Sequence, residues 1–302
     1  MDKICVLMST YNGDKYIEEQ LNSILAQSGD YELRIIVRDD GSKDKTLDIL
    51  ETYQQKYDNI SVIKGENIGW RKSFNKLIFE AENADYYAFS DQDDYWLPDK
   101  LSTAITKIKK FDEDLPILYC SVVTEATEDL KPISQQPVHS KKDMTGLEIM
   151  FCNLGFGCTM VFNYAAKKLY TKSPKSMDMA GHDWLLATLC GYFGKIIFDR
   201  KSRILHRRHG GNATGKLTFL DIAKTKIRQF KQGRIGNSVY QELYNGYRNE
   251  LPLEDKKIIE DLMHYKKSVK AKIRLFVNPK IKKYTLKGTL ILKLAILCNR
   301  YV

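Results

Sequence analysis

The chain contains no run of about 18 consecutive apolar residues, so no part of it is expected to cross a bilayer as a helix. It also lacks the opening of a secretory signal, because Lys3 leads at once into a short apolar strand and then polar turn residues. Cysteine is sparse. Cys5, Cys120, Cys152, Cys158, Cys190 and Cys298 show none of the C-x-x-C or Cys/His spacing that zinc requires. Most sit in apolar runs, where a thiol behaves as a small hydrophobe, and a disulfide framework would be unusual at 302 residues. Reduced, buried thiols predict a cytoplasmic protein, in which the Asn212-Ala213-Thr214 sequon stays unmodified. Internal repeats and low-complexity tracts are absent as well.

What remains is ordinary globular composition, with 43% hydrophobic and 28% charged residues, ample for a buried core. The net charge of +10 is unevenly placed. From Lys216 to Val302 there are 20 Lys/Arg against 7 Asp/Glu. That stretch therefore carries about +13, and the rest of the chain sums to about −3. The basic excess belongs to an appendage, which sets a division into residues 1–215 and 216–302.

The first third alternates short apolar runs with helix-period stretches. Strands are predicted at Ile4–Ser9, Leu33–Arg38, Ile60–Ile63 and Tyr86–Phe89, and helices at Lys15–Gln27, Thr46–Lys56, Trp70–Ala81 and Lys100–Phe111. Such alternation implies right-handed βαβ units and a mostly parallel, doubly covered sheet, an α/β fold whose nucleotide-binding half spans about residues 1–112. Residues 113–215 would form the acceptor half, with a strand at Ile117–Val123, a polar loop around Glu125–Ser140, an apolar stretch Gly155–Phe162, a helix His182–Cys190 and a strand Lys195–Phe198. Beyond them, helices are predicted at Leu217–Gln232, Ser238–Arg248, Glu254–Phe276 and Thr285–Asn299.

In such a sheet, ligands bind outside the carboxyl ends of the strands. Three of those ends are polar: Ser9-Thr10-Tyr11-Asn12, Asp39-Asp40-Gly41-Ser42 and Ser90-Asp91-Gln92-Asp93-Asp94. A tight turn accounts for one acidic residue after the second strand but not for the doublet. Asp40, an acceptor-only carboxylate, could take the imide N–H of a uracil or thymine ring. Three carboxylates within Asp91–Asp94 repel one another unless neutralised, and a divalent cation on a sugar diphosphate would neutralise them. A solvated loop or an acidic cluster at a helix N-terminus is the competing reading.

These residues, together with "STYNG", "RDDGSKDKT", "ENIG", "FSDQDDYWLPDK", "GHDW" and "RRHGGN", make the chain resemble the inverting family-two glycosyltransferases of GT-A fold over about Lys3–Gly211. The "SDQDDYW" and "RRHGGN" forms are most similar to the rhamnosyltransferase subset, which uses dTDP-L-rhamnose. The resemblance implies a nucleotide-sugar donor, dTDP- or UDP-linked, held by Ser9, Thr10, Tyr11, Asn12 and Asp40, with Asn67, Gly69, Asp91 and Gln92 in further donor contacts. Arg71 is either a diphosphate contact or a solvated surface residue. Asp93 would be the direct ligand of Mg²⁺ or Mn²⁺, with Asp91 and a late histidine, His209, beside it. Asp183 matches the catalytic base, although a helix cap is its bland reading. No chemistry is assigned to His182. Trp184 is either an acceptor-stacking platform or a core residue. Gly210-Gly211-Asn212 suggests a loop that closes over donor.

Membrane spans and the Gln-x-x-Arg-Trp motif of processive synthases in this family are missing, which favours addition of a single sugar to a lipid-linked cell-surface glycan. A nucleotidyltransferase would want a Lys/Arg-rich or Gly-rich phosphate loop on the first strand, and Thr10-Tyr11-Asn12-Gly13 is not one. A non-catalytic glycan- or membrane-binding module would leave its acidic clusters uncompensated. The basic tail, with the apolar run Leu290–Leu297, fits either an interfacial helix on anionic lipid at the inner membrane face or a helical pair packing on the catalytic part or in a homodimer. Its lysines lack the interleaved aromatics that nucleic-acid binding needs.

Overall fold

Among the described residues, eleven strands follow one another: β1 (Asp2–Thr10), β2 (Tyr31–Asp39), β3 (Ile60–Lys64), β4 (Tyr86–Ser90), β5 (Tyr95–Trp96), β6 (Ile117–Ser121), β7 (Thr124–Ala126), β8 (Pro132–Gln135), β9 (Val161–Asn163), β10 (Lys195–Asp199) and β11 (Ile204–Arg207). They are seen in a computed structural model that describes residues 1–135, 144–172, 181–210 and 238–301. The four apolar runs of the first third pair in parallel in the order β3-β2-β1-β4. Ile4 to Met8 are all buried, so β1 is covered on both faces, as a central parallel strand must be. The covering helices are α1 (Ile17–Leu25), α2 (Thr46–Lys56), α3 (Trp70–Glu80) and α4 (Lys100–Ile108), each where the sequence predicts one; α2 has the predicted bounds, and the others end one to three residues short.

Beyond β4 the sheet changes character. The apolar stretch Gly155–Phe162 becomes a 3₁₀ turn at Gly157–Thr159 and then β9, which wedges antiparallel between β4 and β6. β6 and β10 resume parallel pairing at the far edge. The supposed loop around Glu125–Ser140 contains an antiparallel hairpin, β7 with β8. All four residues of β8 are exposed, so no apolar alternation marked it as a strand. β5, β11, β7 and β8 form a second, four-stranded sheet in the order β5-β11-β7-β8.

The described residues divide into two compact units, and the division is not a single point in the chain. The first holds both sheets, with residues 1–135, 155–171 and 193–210. In the second, residues 144–154 and 181–192 group with 238–301, although both segments precede the basic tail. This unit is helical. Helix Gly146–Phe151 starts on a capping box between Thr145 and Glu148. It is followed by helices His182–Phe193, Val239–Tyr247, Leu253–His264, Val269–Val277 and Leu286–Leu297. The single helix predicted over Glu254–Phe276 is broken by a 3₁₀ turn at Tyr265–Lys267. There Ser268 caps a new helix by accepting the Ala271 N–H at 3.2 Å. The helix predicted at Leu217–Gln232 lies outside the described residues. No described helix is long and apolar enough to cross a membrane.

Candidate active site

The three polar strand ends meet along one rim because β4, β1 and β2 are neighbours and parallel. There they are tied to one another. The Asn12 N–H donates to Ser42 Oγ at 2.9 Å, and Asn12 Oδ1 accepts the Lys43 N–H at 2.8 Å. Asp39 folds the second loop over itself, accepting the N–H groups of Gly41 and Ser42 at 3.1 and 2.9 Å. Gln92 reaches across from the β4 loop. Its Oε1 accepts from Thr10 Oγ1 at 2.5 Å and from the Tyr11 N–H at 2.8 Å, while its Nε2 donates to the Tyr11 carbonyl at 3.2 Å. These three bonds make Gln92, a predicted donor contact, also a tie that holds the first loop. A Cβ at Gly13 would come within 2.4 Å of Gln92 Oε1, so any larger residue there would have to displace the Gln92 amide from these bonds. Ser9 Oγ bonds Ser73 Oγ at 2.5 Å.

Asp40 is buried and forms an ion pair with Arg38. It also accepts the N–H groups of Ile68 and Gly69 at 3.0 and 2.8 Å. Of the roughly four acceptor sites of a carboxylate, three are thus occupied by its own chain. Asp40 thereby anchors the loop carrying Asn67 and Gly69, and Gly69, at φ +84°, makes the turn into α3. Arg38 completes the anchor through Glu66 O at 3.0 Å and Ser73 Oγ at 3.1 Å. Sequence reasoning missed Arg38. The available signal was a cation directly after the apolar run Ile35-Ile36-Val37 of β2, which must have a partner when buried. Arg71 is exposed, its guanidinium 5.1 Å from the centre of the Trp70 ring.

The second sheet supplies the other half of this site. The β5/β11 ladder pairs Tyr95 with Leu205 and Trp96 with Ile204, which brings the residues before β5 beside those at the end of β11. Asp93 Oδ2 lies 2.7 Å from His209 Nε2, at a partly buried position on the rim. Arg207 fixes the backbone here by donating from Nε to Asp93 O at 2.9 Å. Tyr16, another residue that sequence reasoning missed, lies against both: its ring is 4.6 Å from the His209 ring and 4.7 Å from the Arg207 guanidinium. Its hydroxyl donates to Glu128 Oε1 at 2.7 Å. Burial, with Asp94 alongside, pushes the Asp93 carboxyl above the usual carboxylate range, and His209 opposes that push.

A second acid–histidine pair lies deeper. Asp94 Oδ1 is 2.8 Å from His206 Nδ1, and Asp94, His206 and Cys158 offer ligand atoms within 4.8 Å of one another, all buried. Burial, reinforced by the charges of Asp94 and Asp91, pushes the Cys158 thiol well up, and its soft sulfur is the donor type that hard cations select against. Hard Mg²⁺ or Mn²⁺ ions favour oxygen and imidazole donors, and an ion that also meets phosphate needs a position open to it. The rim pair Asp93 and His209 fits that chemistry; the buried cluster does not. Close to the cluster, Lys100 lies with Nζ 3.3 Å from the centre of the Trp96 ring, and burial lowers its pKa to about 7.

Asp183 and Trp184 belong to the second unit. Asp183 is in the first turn of helix His182–Phe193, where its Oδ1 accepts the Trp184 N–H at 2.8 Å. The Trp184 indole donates to Ile149 O at 2.7 Å, with Lys283 Nζ 5.8 Å from its ring. His182 is buried, and desolvation lowers its pKa to about 3, so it is neutral at physiological pH.

A mostly parallel central sheet is what the motif resemblance implies, and the comparison with known proteins agrees on the family and the fold. The model of glycosyl transferase family 2 matches residues 5–169. The chain belongs to this family. It is 33% identical over 279 residues to the dTDP-rhamnosyl transferase RfbG of Shigella flexneri, an alignment covering 82% of this chain and 91% of that one. Among solved structures, Staphylococcus aureus TarS 1–349 in complex with UDP-GlcNAc superposes with a TM-score of 0.57 at 20% identity, covering 92% of this chain and 77% of that one. A mannosyltransferase from Pyrobaculum calidifontis, in complex with GDP-Man and Mn²⁺, has a TM-score of 0.51 at 14% identity, covering 98% and 74%. The fold is GT-A.

Proposed function

We propose that this glycosyltransferase moves a single L-rhamnose, with inversion, from dTDP-L-rhamnose to a hydroxyl of a lipid-linked cell-surface polysaccharide intermediate, working as a peripheral protein at the inner face of the cell membrane. The observation that carries the reading is the Asp93–His209 pair on a rim of tied loops. Similarity to a named dTDP-rhamnosyl transferase over most of both chains supports the donor. A UDP-hexose is the competing donor, since uracil and thymine present the same imide edge and the chain's fold also occurs in a UDP-GlcNAc complex. A panel of dTDP-L-rhamnose, UDP-GlcNAc, UDP-glucose and GDP-mannose tests this, with release of free nucleotide as the signal. The expected result is release from dTDP-L-rhamnose alone; release from a UDP-hexose only would replace rhamnose as the sugar.

In this reading, the loops of Ser9–Asn12, Asp40 and Asn67–Gly69 receive the nucleoside, and Asp91 contributes to the ribose and diphosphate end. Asp93 and His209 would hold Mg²⁺ or Mn²⁺, which when bound supplies positive charge against the departing diphosphate. Asp183 is the base: its carboxylate takes the proton of the acceptor hydroxyl as that oxygen forms a bond to the anomeric carbon. The bond from that carbon to the diphosphate oxygen breaks with its electron pair, on the opposite face, and the configuration inverts. Trp184 offers a stacking platform to the acceptor sugar.

Tyr16 has the role of holding His209 in place. Partners behind a metal ligand typically matter by about 10–100-fold in metal affinity. Tyr16→Ala is therefore expected to raise the Mn²⁺ concentration for half-maximal turnover by about tenfold or more, whereas Tyr16→Phe, which keeps the ring, stays close to wild type. Mn²⁺ titrations of the three proteins check this, and an unchanged requirement in the Ala variant removes Tyr16 from the role.

A further inference from the structure

Between Tyr265 and Val302 the chain holds eleven Lys/Arg and neither Asp nor Glu. Two helices lie within this stretch and touch each other: Val269–Val277 and Leu286–Leu297. Each buries one face, through Ala271 and Leu275 in the first and Leu292, Ala295 and Ile296 in the second. Each also leaves an apolar stripe in solvent at a spacing of four residues. In the first helix it is Val269, Ile273 and Val277, at 69, 55 and 66% exposure; in the second, Leu286, Leu290 and Leu294, at 90, 54 and 40%. A four-residue repeat keeps side chains on one side of a helix. Single exposed aliphatics are common on soluble proteins; two full stripes on adjoining helices are not.

We infer that these two stripes form a membrane-docking surface, pressed into the headgroup region of an anionic bilayer. Charge chooses this occupant. A twofold dimer across the same surface would set it against its own copy, cation facing cation. A nucleic acid would leave the aliphatic stripes without use, since single strands are held by aromatic stacking. An anionic lipid surface suits both halves, as aliphatic side chains enter the acyl boundary while exposed Lys266, Lys267, Lys270 and Lys287 meet the headgroups. Neither helix is long enough to span, so the attachment is in-plane and reversible. The inference does not rest on the transfer reaction, because lipid binding is read without turnover.

Flotation of the full chain with vesicles of phosphatidylcholine, with and without phosphatidylglycerol, tests it. The wild type is expected to float with the anionic vesicles only and to be released by raised salt. Ile273→Glu combined with Leu290→Glu, and separately Lys266, Lys267, Lys270 and Lys287 all replaced by Gln, should each lower the bound fraction by about tenfold or more. Thermal unfolding and dTDP binding should be unchanged, as these side chains are exposed. The inference is overturned if the wild type stays in the soluble fraction with anionic vesicles, or if both variants float as the wild type does. It also fails if the Glu pair converts a dimer into a monomer, which assigns the stripes to a second copy.

Discussion

Asp93→Ala is expected to lower turnover by at least about a hundredfold and to remove its dependence on added Mn²⁺ or Mg²⁺. The reason is the separation of the two acid–histidine pairs. Asp93 faces His209 on the rim, while Asp94 is held independently by His206 in the interior. Removing the rim carboxylate leaves the buried pair intact, and the fold should persist with an unfolding temperature close to wild type. Binding of dTDP in the presence of Mn²⁺, followed by calorimetry, should weaken in parallel with the rate. Wild-type turnover by the variant in chelator-treated buffer would show that Asp93 holds no ion.

Asp183→Asn should reduce turnover by about two to four orders of magnitude, the range of a general base. The substitution separates chemistry from structure. An Asn Oδ1 can still accept the Trp184 N–H that Asp183 now accepts at 2.8 Å, so the start of the helix is preserved, but the amide takes no proton. Donor affinity should hold, since the residue acts on the acceptor hydroxyl. A rate within a fewfold of wild type would leave Asp183 a helix-start residue and move the base elsewhere.

The parallel half of the fold was legible because its strands are short apolar runs closed by polar residues, and the polar ends of β1, β2 and β4 could be set along one rim from that pattern. The second sheet was not. Its strands have two to four residues, and the exposed β8 carries no alternation for periodicity to detect. The same limit hid the hold of Arg207 on the Asp93 backbone, because a two-residue ladder between β5 and β11 creates that neighbourhood. Asp40 shows the opposite case. Its acidity was visible as a signal, but that most of its acceptor capacity is used by Arg38, Ile68 and Gly69 depends on a loop entry that motif spacing does not encode. Likewise, Ser268 reads in sequence as one polar residue inside a helix-period stretch, and only its turned-out backbone makes it a cap.

The Gln92 amide has a further meaning for how this rim meets a ligand. With Thr10, Tyr11 and Gln92 joined, and Asn12 joined in turn to Ser42 and Lys43, the three strand ends behave as one preorganised body. The conformational entropy of these loops is lost during folding, not at docking. A ligand settling there meets surfaces already in position, so its affinity reflects the contacts it makes, undiminished by the work of ordering them.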